Sequence, residues 1–262
     1  MSLGVKLKAI RDYFSKQVNQ ILEVTENMFN SMKEEYKNIQ DTLNSEKNRK
    51  EYQRYISIMN QHRNNADGNG IYLSDKHQEI LDLQTKLNLS VPKLNHLLNM
   101  TLVYLIAHLE GFNNKFFSNL LYQKPELMKS NKRDFKYRGM DDLNKKLIQK
   151  FKISLNDEFE EWKGLREIYK RRNIIVHNRG LISQSYIKEM NLPPESLNKR
   201  LIIDINYACA AKDILHKYFQ FIFEKIKEKF HLNTSVKRFA SFPPRFDKPM
   251  IVKKGKDEIY ED

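Results

Sequence analysis

The sequence predicts an all-α protein, and three observations lead there. Only 8 glycines and 7 prolines punctuate 262 residues, 40% of the chain is apolar, and most segments repeat apolar residues at helical spacing. The length suits one large domain, or a domain plus an extension, with a real buried core.

From Leu3 to Leu43 an apolar stripe runs through Leu7, Ile10, Phe14, Val18, Ile21, Met28, Met32, Tyr36 and Ile39. Steps of three, four or seven place these residues along one side of a helix. Such a helix spans about 60 Å, so it must kink or pair with another. Residues 45–63 read as a second, more polar helix, and Asn64 to Gly70 is the clearest loop in the chain. A short helix from Ser74 to Leu87 is expected to end near Pro92. Lys93 to Tyr122 is the most hydrophobic helix, with Leu94, Leu98, Thr101, Leu105, Leu109, Phe112 and Phe116 along one side. Its second side carries Val103, Ile106, Glu110, Asn113 and Phe117. An unpaired carboxylate is costly on such a face, so Glu110 needs a cation, and Arg172 is the candidate; a nearby lysine at the solvent edge is the alternative.

Lys129 to Lys152 holds nine basic residues against three acidic ones, with Phe135, Tyr137 and Phe151 interleaved. Cations with aromatics suit a nucleic-acid strand, and Lys132, Arg133, Lys145 and Lys146 are candidate contacts. A solvated loop and helix face is the other reading. Phe159 to Asn178 is the next helix, packed through Phe159, Trp162, Leu165 and Tyr169. Leu201 to Ile205 reads as a short extended piece, and Asn206 to Phe230 as an amphipathic helix through Ala211, Leu215, Tyr218, Ile222 and Ile226. Three regions result: a helical arm over 1–87, a helical bundle over 88–232, and a basic tail over 233–262 with Pro243, Pro244 and Pro249.

Net charge is +13, and it is unevenly spread. Residues 1–87 carry 13 Lys and Arg against 12 Asp and Glu, whereas residues 88–262 carry 33 against 21. A surface with that excess attracts polyanions by releasing their counterions, so nucleic acid is the first candidate partner, although solubility alone also accounts for it. The single cysteine, Cys209, sits between two alanines in a helix and reads as a small core residue. It leaves no internal disulfide and no cysteine-based zinc site. The seven histidines are scattered without close spacing, so no metal site is expected; no cofactor is expected either. No apolar run approaches membrane-spanning length, and the N-terminus lacks a signal-peptide core, so a cytoplasmic protein is expected.

Residues 171–180 read Arg-Arg-Asn-Ile-Ile-Val-His-Asn-Arg-Gly, and this is the one stretch that looks like chemistry. Arg172 can pair with phosphate oxygens at any working pH. Asn173 adds a donor and an acceptor, and His177 can exchange a proton near neutrality. The polar groups flank the apolar run Ile174 to Val176. A plainer reading makes His177 a last-turn histidine favoured by the helix dipole and Gly180 the C-cap. Arg171, Arg172 and Arg179 are then a solvated basic helix end.

The decade resembles the signature of the HEPN superfamily of helical ribonucleases, in its RiboL-PSP-like, phage-defence and toxin–antitoxin branch. That motif is an arginine, a polar residue, a few further positions and a histidine, matched here by Arg172, Asn173, Ile174, Ile175, Val176 and His177. It continues into Asn178 and Gly180 and is followed by an amphipathic helix. The acidic residue before an aromatic on an upstream helix, Leu109-Glu110-Gly111-Phe112, is also similar. The likeness covers about residues 93–230, leaving 1–87 and the tail outside it. It implies an up-and-down bundle that dimerises and brings two Arg-His motifs into one cleft. The implied activity is metal-independent RNA cleavage by 2′-hydroxyl attack, leaving a 2′,3′-cyclic phosphate. His177 would transfer the proton, Arg172 would stabilise the phosphate charge, and Asn173 would position groups, with Glu110 and Asn178 in support and Arg171 and Arg179 on nucleic acid. RNA, a second copy and an antitoxin or regulatory protein are the partners it implies. Some members keep the fold without activity, which implies a noncatalytic binding module as the alternative.

Overall fold

The computed structural model describes residues 1–64, 75–127 and 135–234. Residues 65–70 of the loop expected over Asn64 to Gly70, the cations Lys132 and Arg133, and residues 235–262, with Pro243, Pro244 and Pro249, lie outside the described residues, while Asn64 is the last residue of a helix. Among those described there are eight α-helices, two short 3-10 turns and no strand. The helices are α1 (Leu3–Asn44), α2 (Glu46–Asn64), α3 (Asp75–Gln123), α4 (Met140–Phe151), α5 (Leu155–Glu158), α6 (Trp162–His177), α7 (Gln184–Met190) and α8 (Ile205–Lys229). The fold is all-α.

Helix α1 is capped by Ser2, whose hydroxyl accepts from the Val5 amide, and runs unbroken for 42 residues. It solves its length by pairing. Thr25 and Thr101 hydroxyls meet at 2.9 Å, and Phe14 packs edge-on to Phe112, so α3 runs antiparallel to α1. On another side Arg11 donates to Gln220, and His216 lies 2.8 Å from Asn19, which makes α8 antiparallel to α1 as well. The chain closes where α8 ends: a side chain on Gly4 would sit 2.5 Å from the Asn233 carbonyl, so only glycine lets these backbones meet there. At the far end of α1, the buried Asn48 side chain donates to the Thr42 carbonyl and turns the chain into α2.

Pro92 does not end a helix. The two helices expected on either side of it form one, 49 residues long, with the proline inside. Proline removes the hydrogen bond that its amide would give to the Asn88 carbonyl. Asn88, Val91 and Pro92 are all exposed, so water can take that carbonyl, while buried Ile80 and Leu98 hold the inner side. Residue 87, the expected end of the arm, therefore lies within a continuous helix. Leu7 and Val18 of α1 belong to the same core cluster as Leu105, Phe112 and Phe219.

The core is dense in aromatics where α3 meets the shorter helices. Phe112 lies 4.4 Å from Phe219, and Phe117 stacks on Phe151 at 5.1 Å and lies 4.3 Å from Phe135. Burying each such ring contributes on the order of 1.5–3 kcal/mol. Phe135 and Phe151 therefore face inward, which removes them as bases' stacking partners. The boundary at Phe159 also shifts. Ser154 caps α5 by accepting from the Asp157 amide while Glu158 accepts from the Ser154 amide. Extended Phe159 then ends that single turn, and α6 begins at Trp162. The expected extended piece at Leu201 to Ile205 is non-helical up to extended Asp204, forms no strand, follows an isolated antiparallel bridge between Leu181 and Arg200, and gives way to α8 at Ile205. No helix among the described residues is long and apolar enough to cross a membrane.

Candidate functional site

The decade forms about the last two turns of α6 and the stop that follows. Ile174 is buried, Ile175 half-buried, and Val176 is exposed at 47% beside exposed His177. The stop differs from the plainer sequence reading. Asn178 is the C-cap, Arg179 takes the left-handed conformation at φ 54°, and Gly180 follows at φ 76°. The Asn178 and Gly180 amides both donate to the Ile174 carbonyl at 3.0 Å. Gly180 is thus one residue beyond the position that glycine usually occupies, and Arg179 bears a conformation that favours glycine. The Asn178 side chain donates to the Leu181 carbonyl, fixing the turn that leads to α7.

Arg172 points into the protein's half-buried flank. One guanidinium nitrogen donates to Glu110 at 3.4 Å on α3, and another donates to the Asn173 side-chain oxygen at 3.0 Å. The guanidinium carbon lies 5.8 Å from the Tyr169 ring centroid, and Nε is buried without a hydrogen-bond partner. Glu110 thus has the cation that its apolar face demanded. Burial and the Glu110 carboxylate both push the Tyr169 phenol above its ordinary value.

Behind this pair lies a buried polar hub that the sequence reading did not identify. Asn113 is fully buried, accepts from the Tyr218 hydroxyl at 2.7 Å, and donates to the Tyr137 hydroxyl at 3.0 Å. Burial raises both phenols well above the ordinary tyrosine range, so both stay neutral donors and acceptors. The signal was present in part, because Asn113 stands one turn from Glu110 on the same apolar side. Nothing in the spacing placed the two tyrosines against it.

His177 faces elsewhere. It lines a recess of about 290 Å³ between α6 and α7 with Lys170, Asn173, Asn178, Ser183 and Tyr186. Arg172 does not line that recess. Asn173 joins the two sides, because its oxygen takes the Arg172 bond while its side chain borders the recess. Five helical positions rotate through about 140°, so in one copy the arginine and the histidine diverge.

The remaining predicted cations separate into two groups. Arg171 grips Glu167 through two nitrogens, at 2.7 and 2.6 Å, and lies 4.1 Å over the Tyr207 ring, so its charge is spent within the fold. Lys146 pairs with Asp142 at 2.8 Å and also donates to the Lys136 carbonyl. Lys145 and Arg179 are exposed and have no ion-pair partner among the described residues. Cys209 is half-buried, donates to Glu26 at 3.4 Å, and burial pushes its thiol up. Among the described residues no cluster of three or more His, Cys, Asp and Glu side chains could hold a metal. Comparison with protein-family models, curated proteins and solved structures finds no match.

Proposed function

We propose that the chain is a HEPN-like, metal-independent endoribonuclease whose active cleft is composite. Arg172 of one copy and His177 of a second act together about a two-fold axis through α6. One observation carries this reading: Arg172 is held by Glu110 and bonded to Asn173, while exposed His177 and exposed Val176 border open space at the end of the same helix. An arginine braced by a carboxylate is preorganised to meet developing negative charge, and an accessible imidazole can move a proton at a bound ribose. The apolar Val176 gives the second copy something to bury.

In the proposed step His177 accepts the 2′-hydroxyl proton as that oxygen bonds to the adjacent phosphorus. The bond to the 5′-oxygen breaks, a proton is returned to that oxygen, and a 2′,3′-cyclic phosphate and a 5′-hydroxyl remain. Arg172 stabilises the charge on the phosphate oxygens, and Asn173 orients the guanidinium through its 3.0 Å bond. Lys145 and Arg179 supply exposed positive charge for the flanking strand, with an antitoxin or similar protein as the restraint on such an activity. Purified protein in EDTA should cut RNA and leave DNA of the same sequence intact, and His177→Ala should lose activity by about a hundredfold or more.

A second reading is favoured by the divergence of Arg172 and His177 within one copy. On it the chain is a noncatalytic helical module that holds nucleic acid or a protein. Protein that binds RNA yet never cuts it would establish that reading and end the first.

A further inference from the structure

A seam between α1 and α3 carries three recesses in a row, none of which involves the decade. The first, about 440 Å³, is bordered by Ile10, Tyr13, Phe14 and Lys115. The second, about 380 Å³, is bordered by Gln17, Val24, Met28, Leu97 and Tyr104. The third, about 350 Å³, is bordered by Ser31, Glu34, Glu35, Asn38 and Leu83. Along the seam Tyr13, Val24, Met28 and Tyr104 are 53%, 58%, 48% and 54% exposed. Large apolar side chains exposed together on one side of a helix pair mark a surface that another protein covers.

The seam's own symmetry identifies what covers it. The outer recesses lie about equally far from Val24 along α1, roughly 20 Å to either side at 1.5 Å per residue. One end carries a cation, Lys115, and the other carries Glu34 and Glu35. None of the three has an ion-pair partner among the described residues. A two-fold axis through the middle recess reverses the seam, so each Lys115 meets the partner copy's acidic end while the apolar middle meets itself. The size agrees as well. From Ala9 to Thr42 the seam runs about 50 Å, and two helices of about 10 Å diameter give a footprint near 1,000 Å² per copy. A stable interface needs about 800 Å² from each partner.

We infer that the α1/α3 seam is a self-complementary surface that binds a second copy of this chain antiparallel, about an axis near Val24. The seam shares no residue with the recess holding His177, so this contact stands independently of RNA cleavage.

The test is sedimentation velocity on the full chain at micromolar concentrations. The wild type should be dimeric or larger. Val24→Arg and Tyr104→Arg, both at exposed positions, should weaken the seam association by tenfold or more at unchanged helical circular dichroism. Lys115→Glu alone and the pair Glu34→Lys with Glu35→Lys should each weaken it, because like charges then face each other, and the combined triple variant should recover most of the loss. Arg172→Ala and His177→Ala should leave this seam-dependent association unchanged. A wild type that stays monomeric, an assembly indifferent to Val24→Arg, or a triple variant no better than its components would each overturn the inference.

Discussion

Removing the Glu110 carboxylate probes the brace behind Arg172. At 3.4 Å and an effective dielectric of about 20, the pair's gross attraction is about 5 kcal/mol. Desolvation offsets much of this. The Arg172 and Glu110 side chains are 19% and 32% exposed, between the surface pairs that contribute at most about 1 kcal/mol and the buried ones whose breakage costs about 3–5. Glu110→Ala should therefore cost about 2 kcal/mol, which for a domain of this size lowers Tm by roughly 4–8 °C. Arg172→Ala should cost a similar amount, because it leaves Glu110 without its cation on a mostly apolar face. The double variant should lose clearly less than the two single losses together, with a coupling of about 1–2 kcal/mol in urea unfolding. Additivity within about 0.3 kcal/mol would show that the carboxylate does not hold the guanidinium, and the preorganisation argument would fail with it.

Three further substitutions test the buried hub and α3. Asn113→Ala should cost about 3 kcal/mol, because it strands the buried Tyr218 hydroxyl and leaves Tyr137 short of a donor. Tyr218→Phe should then cost less in that background than in the wild type, as urea titrations of all three variants would show. Pro92→Ala should raise stability by about 1–3 kcal/mol, since it restores an amide donor on the exposed side of α3; a loss of stability by thermal melting would contradict the solvent-side explanation for that proline.

What the sequence made legible follows physical reach. Helical periodicity located α1 and α8 closely, because their apolar stripes are long and their caps, Ser2 and Asp204, are local. The partner of Glu110 was also legible, because a carboxylate on an apolar face has few affordable solutions. Continuity through Pro92 was not, because it depends on α1 packing along the inner side of α3 and on which side the lost hydrogen bond faces. The C-cap of α6 expected at Gly180 lies instead at Asn178, because Arg179 takes a left-handed turn that local preference assigns to glycine. The inward turn of Phe135 and Phe151 and the convergence of Tyr137 and Tyr218 on Asn113 arise from contacts between distant segments, which spacing does not encode.

The composite cleft is tested most directly by mixing two inactive proteins. Arg172→Ala and His177→Ala should each fail to cleave RNA alone. After refolding together at equal amounts, half of the dimers are mixed, and each mixed dimer holds one intact pairing of Arg172 with His177. Cleavage should return to roughly a quarter of the wild-type rate, as two-fold symmetry requires. A mixture as inactive as its components, although mixed dimers form, would contradict a site shared between two copies.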